Sequence, residues 1–178
     1  MFICAGDSEQ FSFAIPIGIG MVDAAINLTR LATMEAPEFL IFVGTAGSYG
    51  EHRIFDIVES KTAANVEQGF LLGSAYTPVN NVVSAAEDVS RETIVNSSNY
   101  ITTDRELGKK YLEKNLELEN MEFFSVLAVA KAFEIPVGGV FCVTNYCDEN
   151  AHRDFLANQK EAMERLESYL REKSVLKS

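Results

Sequence analysis

The stretch Glu119-Asn120-Met121-Glu122 ends a strand predicted over residues 116–121 and leads directly into an apolar helix predicted over residues 123–133. A carboxylate at the end of a strand is well placed to accept hydrogen bonds from two neighbouring sugar hydroxyls, and a methionine beside it can cover the apolar face of the sugar ring. By itself, the same pattern also fits a surface acid in a strand-to-helix loop. The segment therefore predicts a strand followed by a helix, and it predicts a sugar site only if other strand ends support it.

Outward from this segment, strand and helix patterns alternate along the chain. Residues 2–4 and 11–19 are predicted to form an opening β-hairpin, and residues 21–34 form a helix that stops before Pro37. The other predicted strands are 39–43, 53–60, 93–101 and 137–144, and the other predicted helices are 104–113 and 154–173. This order predicts an α/β fold with three α/β/α layers and a mixed, largely parallel central sheet. Ligands of such sheets bind beyond the carboxyl ends of the strands.

Length and charge narrow the class of protein and of partner. The chain has 178 residues and 47% hydrophobic content, which fits a single domain with a sizeable core. With 15 basic and 26 acidic residues its formal net charge is -11, so the overall field repels nucleic acid and anionic membrane surfaces. The sequence has no run of apolar residues long enough to cross a bilayer and no N-terminal signal pattern. We therefore expect a cytoplasmic protein with a small-molecule partner.

The cysteines Cys4, Cys142 and Cys147 are odd in number and show no paired spacing. This pattern indicates neither a disulfide framework nor a zinc site, and it fits a reducing compartment. We expect no bound metal and no organic cofactor.

Three predicted strand ends carry polar or glycine-rich sequence, which in a parallel sheet would meet at one edge: Gly44-Thr45-Ala46-Gly47-Ser48, Met121-Glu122 and Thr144-Asn145. The two glycines of the first segment let the backbone turn tightly and approach a ligand, and Thr45 offers a hydroxyl and an amide. A single Gly-x-x-Gly motif also fits a plain strand-to-loop turn. The segment Gly18-Ile19-Gly20 is not followed by a third glycine at dinucleotide-binding spacing, so we reject that motif.

Together these motifs resemble those of the purine nucleoside phosphorylase and nucleosidase superfamily, which includes the methylthioadenosine/S-adenosylhomocysteine nucleosidases. The resemblance covers residues 17–170 and includes the glycine segments, Met121-Glu122 with its following helix, and Thr144-Asn145 followed by Ala151-His152. It implies one phosphorylase/nucleosidase-like domain over residues 1–178 that cleaves the N-glycosidic bond of a purine nucleoside. Inorganic phosphate is then a candidate co-substrate.

The resemblance also implies roles for individual residues. Glu122 would hold the ribose hydroxyls, Met121 would pack against the sugar, and Asn145 would be the catalytic group near the base. Thr45 and Gly20 would lie at the phosphate or water site, with Ala46 and Gly47 also contacting the substrate. Family nucleosidases usually have aspartate at the place of Asn145. An amide can donate to N7 of a purine but cannot supply a proton. Some phosphorylases of the family that prefer 6-oxopurines have asparagine at the equivalent place, so the resemblance implies hypoxanthine or guanine nucleosides as candidate substrates.

Two departures from the family pattern affect the expected mechanism. Family nucleosidases carry a water-activating glutamate just after an N-terminal first strand. Here Gly18 follows closely on Met1, which predicts that this strand and its acid are missing and that the chain is shortened at the N-terminus. Asp7 or Glu9 can substitute, but their place in a short hairpin favours a solvated turn. Phe42 stands where bacterial hexameric phosphorylases have a phosphate-binding arginine.

The remaining candidates are less specific. His52 is either a general base or a surface residue, and local hydrogen bonding is the expected role of His152. Tyr100, or a residue from the segment 70–76, is a candidate for stacking on the base. We expect a homo-oligomer, with a dimer favoured, whose interface includes residues 68–83. The alternative to an enzyme is a catalytically silent relative that acts as a nucleoside-binding or interaction protein.

Overall fold

The computed structural model describes residues 1–173, apart from the side chain of residue 91, so the predicted domain end at residue 178 lies outside the described residues. The elements follow in chain order: β1 (Phe2–Cys4), β2 (Ile15–Pro16), α1 (Gly20–Glu35), β3 (Leu40–Ser48), β4 (Ile57–Ser60), β5 (Thr62–Ala64), α2 (Gln68–Leu71), β6 (Val82–Ser84), β7 (Ile94–Ser97), α3 (Arg105–Leu112), β8 (Leu118–Asn120), α4 (Phe123–Ala132), β9 (Val137–Tyr146) and α5 (Ala151–Glu172). The predicted alternation of strands and helices is confirmed.

Within residues 1–173 the strands form one mixed, nine-stranded sheet. Its main order is β2-β1-β3-β8-β7-β5-β6, and β9 pairs with β3 and with β4. Strand β3 lies at the centre, because β9 runs parallel along its whole length while β1 and β8 pair with its two ends. β8 runs antiparallel to β3, whereas β1 and β9 run parallel to it. The carboxyl end of β3 is therefore flanked by β8 and β9.

Helices cover the sheet in two apolar layers. Helix α1 buries Ala24, Leu28 and Ala32, which recur every four residues and so share one helix face. This face packs with α4 in one cluster of the core. Helix α5 buries Ala162, Leu166 and Leu170 at the same spacing, in a separate cluster that includes residues of β3 and β9. Among the helices of residues 1–173, none combines the length and the apolar character that a membrane crossing requires.

The centre of the core is a cluster of three fully buried phenylalanines, Phe42, Phe123 and Phe141. Their ring centroids lie 5.0 to 6.0 Å apart in tilted and edge-to-face arrangements, which are the favoured geometries of aromatic pairs. Phe123 begins α4, so the strand-to-helix segment that follows Glu122 is fixed to the sheet by this packing. The Phe42 side chain is fully buried in the core and does not line the cavity described below.

The predicted opening hairpin is wrong. Strands β1 and β2 pair in parallel, with Ile3 opposite Ile15, so the chain between them must loop back before β2 begins. The apolar run that suggested a long second strand is divided between two roles. Phe11 and Phe13 pack on each other beside Phe2 in the core layer under α5, and only Ile15–Pro16 joins the sheet.

The glycine segment 44–48 was predicted to form a turn after the strand. It does not, and strand β3 instead continues to Ser48. It remains extended because β9 pairs beside it as far as Tyr146 and β8 pairs on the other side at Gly47 and Ser48. A β-bulge between Ala46 and Gly47 shifts the register to β9 at this point. Bulges of this kind redirect side chains and are frequent next to binding sites.

Candidate active site

A cavity of about 260 Å³ lies at the carboxyl ends of β3 and β9. Its walls come from the loop after β1, the end of β3, β8 with the turn that follows it, the end of β9 and the first turns of α5. Ile19 and Ile101 contribute from two further loops. The cavity therefore occupies the sheet edge at which ligands were expected to bind.

The structure brings the three predicted strand ends into this one cavity. Its lining includes these residues predicted for the substrate site: Thr45, Ala46, Gly47, Met121, Glu122 and Asn145. Because β8 is antiparallel to β3, the chain that leaves β8 runs back along β3 and reaches Thr45, whose carbonyl accepts a 3.1 Å hydrogen bond from Asn120 Nδ2. Gly20 does not line the cavity, but its backbone amide donates to Glu122 Oε1 at 2.8 Å.

Glu122 is 3% exposed and lines the cavity, and its side chain makes no capping hydrogen bond at the start of α4. Asn120 performs the capping instead, since its Oδ1 accepts from the amides of Glu122 and Phe123 at 2.9 and 3.0 Å. The pKa of Glu122 is raised to about 7, mainly because burial disfavours the charged form; the hydrogen bond from Gly20 opposes this effect, and the nearby charge of Glu9 adds to it. The side chain can therefore change protonation state near neutral pH.

Glu9 also lies in the cavity, beside Thr45. Its Oε2 accepts from the Thr45 amide at 3.0 Å and its Oε1 accepts from the Thr45 hydroxyl. Burial raises the pKa of Glu9 above its ordinary value, while the two hydrogen bonds from Thr45 lower it. Gly44 makes room for this contact, because a Cβ there would lie 3.2 Å from Glu9 Oε2 and 2.9 Å from the Phe42 ring.

These observations correct the prediction that the first strand and its acid are missing. A first strand, β1, is present, and a carboxylate follows it closely enough to reach the end of β3. Glu9 does not lie in a solvated turn as expected, although Asp7 of the same loop is exposed. The sequence does have an acid shortly after the first apolar run. Its neighbours are typical turn residues, which favoured a solvated position for Glu9 over a contact with Thr45.

Asn145 lies near the end of β9, where it pairs with Gly47 of β3. Its Oδ1 accepts from the Thr144 hydroxyl at 2.9 Å and its Nδ2 donates to the Tyr146 carbonyl at 3.1 Å. An amide nitrogen carries two hydrogens, so one donor remains for a ligand. A Cβ on Gly47 would lie 3.0 Å from Asn145 Nδ2, so the glycine is required for this close approach.

Several residues of the cavity were not predicted as substrate contacts, among them Glu119, Ile101 and Phe155. His152 lines the cavity and its side chain makes no hydrogen bond to the described residues, so its expected local hydrogen bonding is wrong. His52 lies outside the cavity lining and pairs with Glu117 at 2.8 Å. Tyr100 precedes Ile101, is 79% exposed and is not among the residues that line the cavity.

The cavity is acidic. Its lining includes Glu9, Glu119 and Glu122, and none of the described residues that line it is a lysine or an arginine. A phosphate ion would meet negative charge there without a cationic partner. No group of three or more His, Cys, Asp or Glu side chains in residues 1–173 is arranged to hold a metal ion.

Known structures share this fold. A futalosine hydrolase mutant of Helicobacter pylori is similar with a TM-score of 0.80 and 15% identity, covering 96% of this chain and 95% of that one. The Streptococcus pneumoniae MTA/SAH nucleosidase in complex with 8-aminoadenine gives 0.76 and 16%, with 95% of each chain covered. The H. pylori MTAN-D198N mutant with 5'-methylthioadenosine in its active site gives 0.76 and 16%, covering 88% of this chain and 77% of that one. The sequence profile of the phosphorylase superfamily matches residues 8–172, and the chain therefore belongs to that superfamily.

Proposed function

We propose that this protein is a nucleosidase that hydrolyses the N-glycosidic bond of a purine nucleoside. The observation that carries the proposal is the presence of Glu9 and Glu122 in one cavity, whose lining also includes Thr45 and Asn145. Glycoside cleavage needs one group for the developing sugar cation, one for the attacking nucleophile and one for the departing base. The cavity contains a residue suited to each of these tasks.

Glu122 binds the sugar in this proposal. Its carboxylate accepts hydrogen bonds from the 2′ and 3′ hydroxyls, and Met121 covers the apolar side of the ring. The negative charge also stabilises the oxocarbenium-like transition state, because it acts in a buried site where water does not screen it. The Gly20 amide holds the carboxylate in place before the substrate binds.

Glu9 activates the water. Thr45 orients the carboxylate through two hydrogen bonds, and each carboxylate oxygen retains a lone pair that can accept from a water molecule. The water oxygen forms a bond to C1′ as the bond from C1′ to the base nitrogen breaks and its electron pair moves to the base. The proton of the water passes to Glu9, and the base acquires its proton from solvent. Ordinary values for general-base assistance are about 10²- to 10⁴-fold in rate.

Hydrolysis is favoured over phosphorolysis by the charges of the site. Glu9, Glu119 and Glu122 face the cavity without a lysine or arginine among its described lining residues. Phe42 is fully buried in the core and cannot replace a phosphate-binding arginine. Water, unlike phosphate, needs no cationic partner in order to enter.

Asn145 favours a base with hydrogen-bond acceptors at its exposed edge. Its remaining N–H can donate to N7 or to a carbonyl oxygen at C6, both of which gain electron density as the base departs. We therefore propose 6-oxopurine nucleosides as the preferred substrates. The related structures that are named as a futalosine hydrolase and as MTA/SAH nucleosidases support the cleavage of a nucleoside in general.

The test is to incubate the protein with inosine, guanosine, adenosine and methylthioadenosine, with and without phosphate, and to measure the released base by chromatography. We expect release without phosphate, with inosine and guanosine cleaved faster than adenosine. Release that requires phosphate would contradict hydrolysis, and no release from any of the four would contradict the enzymatic proposal.

A second candidate is a silent nucleoside-binding protein. The observation that favours it is the amide of Asn145, which cannot protonate a departing base. Titration calorimetry with the same four nucleosides separates the two candidates, since binding without base release selects the silent protein. The presence of Glu9 beside Thr45 favours the enzyme.

A homodimer in the cytoplasm is the proposed working form. The segment 68–83 exposes several large apolar side chains, namely Phe70, Leu72, Tyr76, Val79 and Val82. Burying such a surface against a second copy is favourable. Three buried, unpaired cysteines support a reducing compartment. Light scattering during size-exclusion chromatography tests the dimer, and a monomeric mass at micromolar concentration would contradict it.

A further inference from the structure

Glu119 is a buried carboxylate to which the proposed mechanism assigns no task. It lies in β8, is 7% exposed and lines the cavity. Gly47 pairs with Glu119 on one side and with Asn145 on the other, so Glu119 lies at the end of the cavity that is proposed to receive the base. Burial raises its pKa above the ordinary value of a glutamate, against the opposing effect of its hydrogen bonds.

Four donors surround this carboxylate. Oε1 accepts from the Thr102 amide at 2.8 Å and from Cys147 Sγ at 3.9 Å. Oε2 accepts from the Thr102 hydroxyl at 2.5 Å and from the Tyr49 hydroxyl at 2.7 Å. A carboxylate has about four lone-pair sites, so Glu119 has none left for a ligand. Glu119 therefore cannot accept a hydrogen bond from the base, although it lines the cavity.

Both strong bonds to Thr102 fix the loop that joins β7 to α3. The loop is held at its other end by Asn99, whose Oδ1 accepts from the amide of Met21 at 3.0 Å. Between these two anchors lie Tyr100 and Ile101, which are 79% and 54% exposed, and Ile101 lines the cavity. Exposed residues have few packing contacts of their own, so their position depends on the anchors on either side.

The third partner connects the same carboxylate to the rigid part of the fold. Tyr49 follows β3 directly, is 5% exposed, and stacks on Tyr111 of α3 with ring centroids 4.7 Å apart. Asn96 Nδ2 also donates to the Tyr49 hydroxyl, at 3.3 Å. Glu119 thus joins the loop between β7 and α3, through Tyr49, to the end of β3 and to α3.

We propose that Glu119 is a positioning residue that sets the wall of the base-binding end of the cavity by fixing Thr102, and with it Ile101 and Tyr100. This inference rests on the proposed function. Glu119 acts on affinity for the nucleoside rather than on the bond-breaking step, because it contacts neither the sugar nor the attacking water.

The test compares Glu119→Ala and Glu119→Gln with the matched control Glu117→Ala. Glutamine keeps an oxygen for the Thr102 amide, and the hydroxyls of Thr102 and Tyr49 can reverse to accept from its nitrogen. Glu117 is a nearby acid whose carboxylate bonds to His52 and Thr93, outside the cavity lining. Four quantities are measured: the hydrogen-exchange rate of the Thr102 amide by NMR, the KM and the kcat for inosine, and the Kd of inosine by calorimetry.

For Glu119→Ala we expect Thr102 exchange to accelerate and KM to rise, each by about tenfold or more, with kcat changed by less than about threefold. Glu119→Gln should restore both quantities to near the wild-type values, and Glu117→Ala should alter neither. Thr102→Val removes only the hydroxyl bond and should raise KM by about threefold, which gives a milder variant if the alanine protein does not fold.

Unchanged Thr102 exchange in Glu119→Ala would overturn the inference, and so would faster exchange with unchanged KM and Kd. A loss confined to kcat would also overturn it, because that result assigns Glu119 to the chemical step. Absence of base release by the wild-type protein is a separate outcome that contradicts the proposed function. In that case the Thr102 exchange rate and the Kd of inosine still decide whether Glu119 positions the loop.

Discussion

The two ends of the cavity contain the same chemical group, a buried or half-buried glutamate, in different surroundings. At one end Glu9 accepts from Thr45 and Glu122 accepts from Gly20, which leaves acceptor sites on both carboxylates. At the other end the donors of Thr102, Tyr49 and Cys147 occupy all the acceptor sites of Glu119. Burial raises the pKa of all three acids.

Burial and a raised pKa therefore do not by themselves identify a catalytic carboxylate. What distinguishes the two ends is the number of lone pairs that the protein leaves for a ligand. Glu9 and Glu122, which keep free acceptor sites, suit chemistry on a sugar. Glu119, whose acceptor sites are all occupied, suits the support of a loop. Substitutions of Glu9, Glu122 and Asn145 test this distinction.

The largest effect is expected for Glu9→Gln. The amide cannot accept the proton of the attacking water, so kcat for nucleoside hydrolysis should fall by about 1000-fold. Asp7→Asn is the matched control in the same loop, because Asp7 is exposed and its positive φ of 53° suits asparagine equally well. Steady-state kinetics with inosine measure both variants, and equal kcat values for the two would remove Glu9 from the mechanism.

The pH dependence of stability should change in Glu122→Gln. The folded pKa of Glu122 is about 7 against an ordinary 4.5, so the folded protein binds this proton more tightly than the unfolded chain. Its contribution to stability is therefore complete below about pH 4.5 and is lost as the pH rises through about 7. The loss amounts to about 3 kcal/mol in the free energy of unfolding, which the glutamine variant should escape.

Urea unfolding at about pH 4.5 and about pH 8 measures this difference. Relative to the wild type, Glu122→Gln should gain stability as the pH rises. An equal change in both proteins would show that the Glu122 carboxylate is not desolvated in the folded state.

Glu122→Gln should also reduce activity. Loss of the charge beside the sugar cation should lower kcat/KM for inosine by about 100-fold at neutral pH. Glu117→Gln serves as the control, since that carboxylate binds His52 outside the cavity lining. A similar kcat/KM for both variants would contradict a role for Glu122 at the sugar.

The smallest effect is expected at the base end, for Asn145→Asp. An acid at this position can share a proton with the base, so the ratio of kcat/KM for adenosine to that for inosine should rise by about tenfold. The substitution changes the volume little, and Gly47 leaves the same space beside it. An unchanged ratio in parallel assays would mean that Asn145 does not select the base.

Much of the site was predictable because its signals are local in sequence. Met121-Glu122 marks a strand end followed by a buried helix, and Thr45 and Asn145 lie in the carboxyl-terminal halves of the two longest strands of the sheet. The parallel pairing of β3 and β9 brings Thr45 and Asn145 to one edge, and the antiparallel β8 brings Met121-Glu122 to the same edge. Glu9 was misjudged because residues 6–9 have the composition of a turn, and a turn can direct a side chain either way.

The sequence was sufficient to establish the alternation of strands and helices and the acidic character of the chain, because periodicity and charge are properties of neighbouring residues. It also determined the membership of a family with a nucleoside site. Which of the three glutamates keep free hydrogen-bond acceptor sites could be seen only in the folded structure. The donors of Glu9, Glu119 and Glu122 come from Thr45, Tyr49, Thr102 and Gly20, which lie 17 to 102 residues away along the chain. Hydrogen bonds over such separations are set by the packing of the sheet, which no local pattern encodes.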